Sequence, residues 1–343
     1  MSKHSPARAN VSLLPGLELF SRGKVRDTYI LPNDNFLSVT TDGISIFDFV
    51  LNALVPGKGV ILNAMSHFWF QYLSNFGIKT HFIAAGSDID EYIPEMLKGD
   101  PYLQVRATVV KRLNMVDIEF VARAVLTGSA LKSYKENLQV CGHRLPPGLQ
   151  DCDELPYILD TPTTKAKEGH DENLLANEVR RKYPEQTYLL LMISQIASNY
   201  SKERGIKLAD MKLEFGEDGT VGDEILTPDS SRFLEYKEWF EGRNVSGDRK
   251  APPPYDKQLI RNWGIAEGIN KLDPKKPEDI ARVHNLIVPE KLIRQTTETY
   301  RRIFWRLTGF TIASYLRFKM KVNIPNSPEY ANGLVDLLEF GGK

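Results

Sequence analysis

Residues 207–232, KLADMKLEFGEDGTVGDEILTPDSSR, constrain the fold more than any other stretch of the chain. Met211, Leu213 and Phe215 alternate with Asp210, Lys212 and Glu214, a period of two that suits a strand with one buried face. Asp218-Gly219 is a favoured two-residue hairpin turn. That turn predicts a register in which Phe215 faces Gly222 and Glu214 faces Asp223, with side chains roughly 5 Å apart on one face. Two opposed carboxylates repel. A hard divalent ion between them, completing its shell with water and phosphate oxygens, is how Mg²⁺ is usually held. The competing reading is a solvated hairpin whose acids are balanced by Lys212 and water, and a three-residue turn would shift the register.

The 343 residues suffice for one large domain or two modest ones. Lysine plus arginine equals aspartate plus glutamate, 44 against 44, so no global charge attracts nucleic acid or an anionic membrane. Any anion site must come from local clusters. Cys141 and Cys152 stand in neither a CxxC nor a histidine-rich setting, which argues against a disulfide framework or a structural zinc. The first ten residues lack the apolar core of a secretion signal, and the most apolar run, Tyr188 to Ala197, is short and interrupted by Ser194 and Gln195. A cytoplasmic protein outside the membrane is expected.

Taken in order, residues 17–31 predict two strands around Gly23-Lys24-Val25-Arg26-Asp27, whose backbone N–H groups and basic side chains could lie over a polyphosphate. An ordinary charged hairpin is the alternative. A strand at Phe36 to Thr40 leads to an apolar loop punctuated by Asp42 and Asp48, which are caps or ligands. A helix from Asn63 to Phe76 is expected to bury Met65, Phe68, Trp69, Tyr72 and Phe76 and to stop at Gly77. Strands at Gln104 to Leu113 and Ile118 to Val125 predict a hairpin across Asn114 to Asp117, with a further strand at Thr80 to Ala84.

The strand ending Ala122-Arg123-Ala124-Val125-Leu126 runs through Thr127-Gly128-Ser129 into a helix at Ala130 to Glu136. Free N–H groups at the helix start favour a phosphate, Ser129 can add its hydroxyl, and Arg123 can reach from the strand; Ser129 as a plain helix cap is the alternative. Residues 137–170 read as a long polar loop, in which Lys165 could contact phosphate and His170 beside Asp171 is either an oriented base or a surface pair. Residues 185–204 predict a helix with Tyr188, Met192, Ile196 and Tyr200 on one stripe. Thr227 to Arg232 gathers an acid, hydroxyls and a guanidinium suited to phosphate and ribose, or else forms a turn and a helix cap. From Tyr255 to about Gly309 the pattern is helical.

These motifs occur together in the order of one family. Gly23 to Asp27, Thr41-Asp42 with Phe47-Asp48, Leu126 to Ser129, Thr161 to Asn173, Lys212 to Gly216, Asp223 through Arg232 and Tyr255 to Gln258 make residues 12–309 resemble the phosphoribosylaminoimidazole-succinocarboxamide synthase (SAICAR synthetase) family. The resemblance implies an ATP-dependent ligase of purine biosynthesis that joins L-aspartate to carboxyaminoimidazole ribonucleotide (CAIR), giving SAICAR, ADP and phosphate. It implies an α+β fold: an antiparallel-sheet domain like the kinase small lobe over 1–114, an ATP-grasp-like nucleotide- and CAIR-binding domain over 115–264, and C-terminal helices and tail over 265–343. By the same resemblance Gly23, Lys24, Arg26 and Lys212 bind ATP, Glu214 and Asp223 hold Mg²⁺, and Arg123, Ser129 and Arg232 grip the CAIR phosphate and sugar. Lys212, Asp210 and Lys165 are the residues it implies at the reacting centre. Many family members carry Arg where Gly43 stands and Gly where Ala124 stands. A small-molecule kinase or a nucleotide-binding regulatory module would share the loop and the acidic pair, and dependence of turnover on aspartate separates the three.

Overall fold

The computed structural model describes residues 13–165, 172–242, 252 and 254–323. In chain order its main elements are β1 (Glu18–Arg22), β2 (Arg26–Ile30), β3 (Phe36–Thr40), β4 (Gly43–Ile46), β5 (Phe49–Leu54), α1 (Lys58–Ser74), β6 (Phe82–Ala85), α2 (Pro101–Gln104) and β7 (Ala107–Val110). There follow β8 (Ile118–Leu126), α3 (Gly128–Asn137), β9 (Gln139–Val140), β10 (His143–Arg144), β11 (Asp153–Asp160), β12 (Thr163–Thr164), α4 (Ala176–Lys182) and α5 (Pro184–Glu203). The chain continues through β13 (Ile206–Phe215), β14 (Val221–Gly222), β15 (Ser231–Glu235) and α6 (Tyr236–Gly242). It ends in α7 (Gln258–Ala266), α8 (Pro277–His284), α9 (Glu290–Thr308) and α10 (Ile312–Phe318). Two compact units result, one built from residues 1–72, 81–112 and 257–343, the other from 73–80 and 113–256. Among the described residues no helix is long and apolar enough to cross a membrane.

In the first unit an antiparallel sheet runs β1-β2-β3-β7-β6. Its inward side chains Tyr29, Leu37, Ala84 and Val109 share one core with Ile89 and with Leu103 of α2. A second core joins the β4-β5 hairpin to the C-terminal helices through Ile44, Phe49, Leu51, Ile260, Val283 and Val288. The expected loop at 41–48 is therefore a hairpin, closed at Phe47 and Asp48 with both φ values positive. α1 begins about a turn earlier than the apolar stripe suggested, and it buries Met65 and Trp69 as expected but exposes Phe76, beyond its last turn. Gly77 follows in the left-handed conformation, φ 72°.

The second unit holds a six-stranded antiparallel sheet ordered β11-β8-β13-β14, with β12 paired to β8 and β15 to β13. Phe120 from β8 meets Phe215 from β13 edge to face, ring centroids 5.1 Å apart. Full burial of Leu213 and Phe215 contributes roughly 1.5–3 kcal/mol each. α5 packs on this sheet through Leu190, Ile193, Ala197 and Tyr200, while Tyr188 is exposed. A strict spacing of four drifts roughly 40° per step around a helix, so the stripe through Tyr188 leaves the face that Tyr200 buries.

Three further expectations change. β7 and β8 do not form a hairpin: β7 pairs with β3 and β6, and β8 pairs with β11, β12 and β13. Both strands are apolar enough to be interior, and pattern does not say which neighbour an interior strand takes. Within the supposed loop 137–170 lies β11, whose irregular register between Glu154 and Leu159 brackets Pro156 at the sheet edge. The turn after β13 has three residues, because Asp218 accepts hydrogen bonds from the Thr220 backbone N–H (3.1 Å) and hydroxyl (2.9 Å), and Gly219 turns left-handed. Glu214 thus faces Gly222 rather than Asp223.

Cys141 and Cys152 are free and buried, and burial pushes both thiols up to about 11. In the first unit His67 lies buried under α10, its Nδ1 2.9 Å from the Tyr315 hydroxyl. Burial lowers its pKa from 6.5 to about 4, against an opposing pull from Asp88. Between those values the unfolded chain binds a proton that the folded chain refuses, so stability falls as pH drops through that window. The expected loss is on the order of 3 kcal/mol, and His67→Gln should show distinctly less of it in urea melts at pH 7 and pH 4.5. Equal losses in both proteins would contradict this.

Candidate active site

The second unit carries one polar sheet face. In β8 the residues Glu119, Val121 and Arg123 share a face, as do Asp210, Lys212 and Glu214 in β13, since side chains alternate along a strand. Pairing sets Arg123 opposite Asp210 and Asp210 opposite Arg232 of β15, a row of three charges across three strands. One Asp210 oxygen accepts from Arg123 Nη1 at 2.7 Å and from Arg232 Nη1 at 3.0 Å. Arg123 also donates from Nε to the Thr161 hydroxyl at 2.9 Å and from Nη2 to Ser129 Oγ at 3.2 Å. Burial and the neighbouring Arg232 pull the Arg123 pKa down despite Asp210. For Arg232 the pull of Asp210 outweighs burial, with Asp256 and Asp151 adding to it, and the net shift is upward. Both guanidiniums keep their charge at any working pH.

This row ends at the start of α3. Thr127 precedes the helix without a side-chain capping bond, and Ser129 is not the cap either, because it lies in the first turn with its hydroxyl against Arg123. Gly128 has φ 61°, and a Cβ there would lie 2.6 Å from both terminal nitrogens of Arg232. The positive φ favours glycine, and a Cβ would push the Arg232 guanidinium aside. Two guanidiniums beside a helix N-terminus make a phosphate-binding layout.

Two residues along β13 from Asp210, about 7 Å by strand rise, a second cluster surrounds Lys212. Its ammonium donates to Glu119 Oε1 at 2.7 Å and Glu214 Oε1 at 3.1 Å, and Lys165 pairs with the other Glu214 oxygen. Burial lowers the Lys212 pKa, but the charges of Glu214, Asp223 and Glu119 outweigh it and the net shift is upward. The Asp223 charge thus acts on Lys212 despite the changed turn, from a left-handed residue just past β14, φ 56°. Lys165 joins this cluster through Glu214. Among the described residues no three His, Cys, Asp or Glu side chains converge as a metal site. Glu214 and Asp223 are the pair that could hold an ion whose shell is otherwise water and phosphate, and their hard oxygens fit Mg²⁺.

The remaining candidates have plainer surroundings. Gly23 gives its N–H to the Arg26 carbonyl at 2.7 Å, closing the β1-β2 turn, and Lys24 pairs with Asp48. Asp42 binds Arg106 through both oxygens at 2.9 Å and accepts from the Gly59 N–H at 2.8 Å, a structural cap. Thr227 and Ser230 bond each other in a tight turn that leads into β15, not into a helix, and so delivers Arg232. His170 lies outside the described residues. Sequence reasoning missed Glu119 and gave Thr161 no role beyond opening a motif; Glu119 has the same parity as Arg123 on β8, which was the available signal. A cavity of about 770 Å³ in this unit lies elsewhere, among Ala124, Leu155, Leu191, Lys202, Leu208 and Tyr236.

A profile of the SAICAR synthetase family matches residues 19–275. A phosphoribosylaminoimidazole-succinocarboxamide synthase of Thioalkalivibrio sulfidiphilus is 40% identical over 315 residues, covering 87% of this chain and 97% of that protein. One from Neisseria meningitidis serogroup C is 37% identical over 310 residues, covering 85% and 98%. Among solved structures, a SAICAR synthase from Saccharomyces cerevisiae complexed with SAICAR superposes with a TM-score of 0.72 at 31% identity, covering 88% of this chain and 98% of that one.

Gly128→Ala should lose roughly 1–2 kcal/mol in urea denaturation because alanine resists the left-handed conformation. Gly128→Asn should lose less, yet its Cβ should still turn Arg232 away from Asp210 in a crystal structure. An unmoved Arg232 in the asparagine variant would refute the close-approach argument.

Proposed function

The chain belongs to the SAICAR synthetase family, and from that premise we propose how its residues join L-aspartate to the carboxylate of CAIR, with ATP converted to ADP and phosphate. The product is SAICAR, an intermediate of purine biosynthesis. The observation that carries the residue assignment is the single sheet face with a guanidinium pair at one end and an acid–lysine cluster at the other. Arg123, Ser129 and Arg232 grip the CAIR phosphate, and Asp210 holds the two guanidiniums in place. Lys212 and Lys165 lie where negative charge builds up as the phosphoryl group moves.

A carboxylate resists attack by an amine, so it must first become a better electrophile. A CAIR carboxylate oxygen attacks the γ-phosphorus of ATP and ADP leaves; the aspartate nitrogen then attacks the acyl carbon, phosphate leaves with that oxygen, and the amine loses a proton. No nucleophilic side chain is required, since fixed positive charge and positioning supply most of the acceleration in phosphoryl transfer. Glu214 and Asp223 would hold Mg²⁺, which when bound neutralises charge on the phosphates. Gly23, Lys24 and Arg26 form the phosphate loop of a kinase-like sheet domain within residues 1–114. Residues 115–264 act as the ATP-grasp-like part that binds nucleotide and CAIR, 265–343 as the C-terminal helices and tail, and the enzyme works in the cytoplasm.

Phosphate release from ATP with CAIR should require L-aspartate for sustained turnover. With oxygen-18 in the CAIR carboxylate, label should appear in the released phosphate, and unlabelled phosphate would rule out the acyl-phosphate route.

Arg232→Ala should remove a charge-assisted contact worth about 1.5–3 kcal/mol, roughly ten- to a hundredfold in kcat/KM for CAIR. ATP binding should be nearly unchanged. On the nucleoside lacking the phosphate the mutation should have little effect; an equal loss there would assign Arg232 to ATP or to the fold.

A further inference from the structure

Glu119 is the one acid of the Lys212 cluster to which the chemistry above gives no task. It stands on β8, beside β13, and its Oε1 is the nearer of the two carboxylate oxygens bonded to Lys212, 2.7 Å against 3.1 Å for Glu214. Its backbone is set opposite Thr163 by the β8-β12 pairing, and its Oε2 lies 3.5 Å from the Thr163 hydroxyl. Both oxygens of Glu214 meanwhile face ammonium groups, Lys212 on one and Lys165 on the other. A divalent cation arriving at Glu214 competes with both for those oxygens, and its double charge repels the Lys212 ammonium. A lysine with a long flexible stem and no second partner would swing out to solvent.

We propose that Glu119 is a positioning residue that keeps the Lys212 ammonium on the sheet face when Glu214 turns from that lysine to a divalent cation. The inference rests on the reading of Glu214 and Asp223 as the metal pair. Under it, Glu119 matters only when the metal is bound: with nucleotide alone, Glu214 still holds Lys212. A purely structural Glu119 would make no such distinction, and a Glu119 that itself ligated the ion would act without Lys212.

Calorimetric titration with ADP, with and without Mg²⁺, separates these cases. Glu119→Gln should weaken binding of Mg²⁺-ADP about tenfold, the order expected for a lost charge-assisted contact, and leave metal-free ADP within about twofold. Glu119→Asp, which keeps the charge, should recover part of the loss. In a Lys212→Met background Glu119→Gln should add nothing further. The inference is overturned if both forms of ADP weaken alike, if neither does, or if the tenfold loss persists without Lys212. Wild-type protein whose ADP binding ignores Mg²⁺ would overturn the metal assignment itself, a failure visible before any variant is made.

Discussion

The pairing of β8 with β13 in one register is the constraint on which the site depends. It sets Arg123 opposite Asp210 and Phe120 opposite Leu213, so one face of the two strands is charged and the other apolar. A slip of one residue would turn every side chain to the wrong face, placing Asp210, Lys212 and Glu214 among the apolar partners of Phe120. The burial of Leu213 and Phe215 therefore does more than stabilise the sheet. It holds the charged face in the alignment that the Arg123–Asp210–Arg232 row requires.

That row is a poor device for stability. Three charges are withdrawn from water, and their mutual attraction roughly offsets the cost of desolvation; a well-packed apolar set would serve the fold as well or better. Its value lies in preorganisation. Asp210, Thr161 and Ser129 hold the Arg123 guanidinium before any ligand arrives, so an incoming phosphate meets donors that need not be gathered from solvent. Gly128 lets Arg232 complete the arrangement by coming closer than any Cβ would allow.

The first unit uses the same chemistry for architecture. Asp42 joins Arg106 and the Gly59 N–H, tying the strand exit to the start of α1, and Arg106 lies over the Tyr102 ring at 4.7 Å. A Cβ at Gly59 would come within 2.8 Å of that guanidinium. An acid, an arginine and a glycine thus serve the fold here and the candidate site in the other unit. Residue type does not tell the two apart; what does is whether the group ends beside an exposed helix start or inside a closed cap.

Local periodicity by itself determined that 206–215 is a strand with Asp210, Lys212 and Glu214 on one face, that 18–30 is a hairpin, and that helices follow residue 257. Local pattern also singled out Arg123 and Ser129, through strand–Thr-Gly-Ser–helix, and Arg232, through the polar cluster Thr227 to Arg232. Only the tertiary structure decided the partners. The two hydrogen bonds from Thr220 to Asp218 replaced a two-residue turn with a three-residue one and moved Glu214 off Asp223, yet both acids still converge electrostatically on Lys212. Lys165 reached Glu214 across 49 residues of chain, and Glu119 reached Lys212 across 93. Alternation along a strand is dictated by neighbouring residues and is legible in order of sequence; which strand lies beside it depends on the joint burial of distant apolar faces, and no local pattern records that.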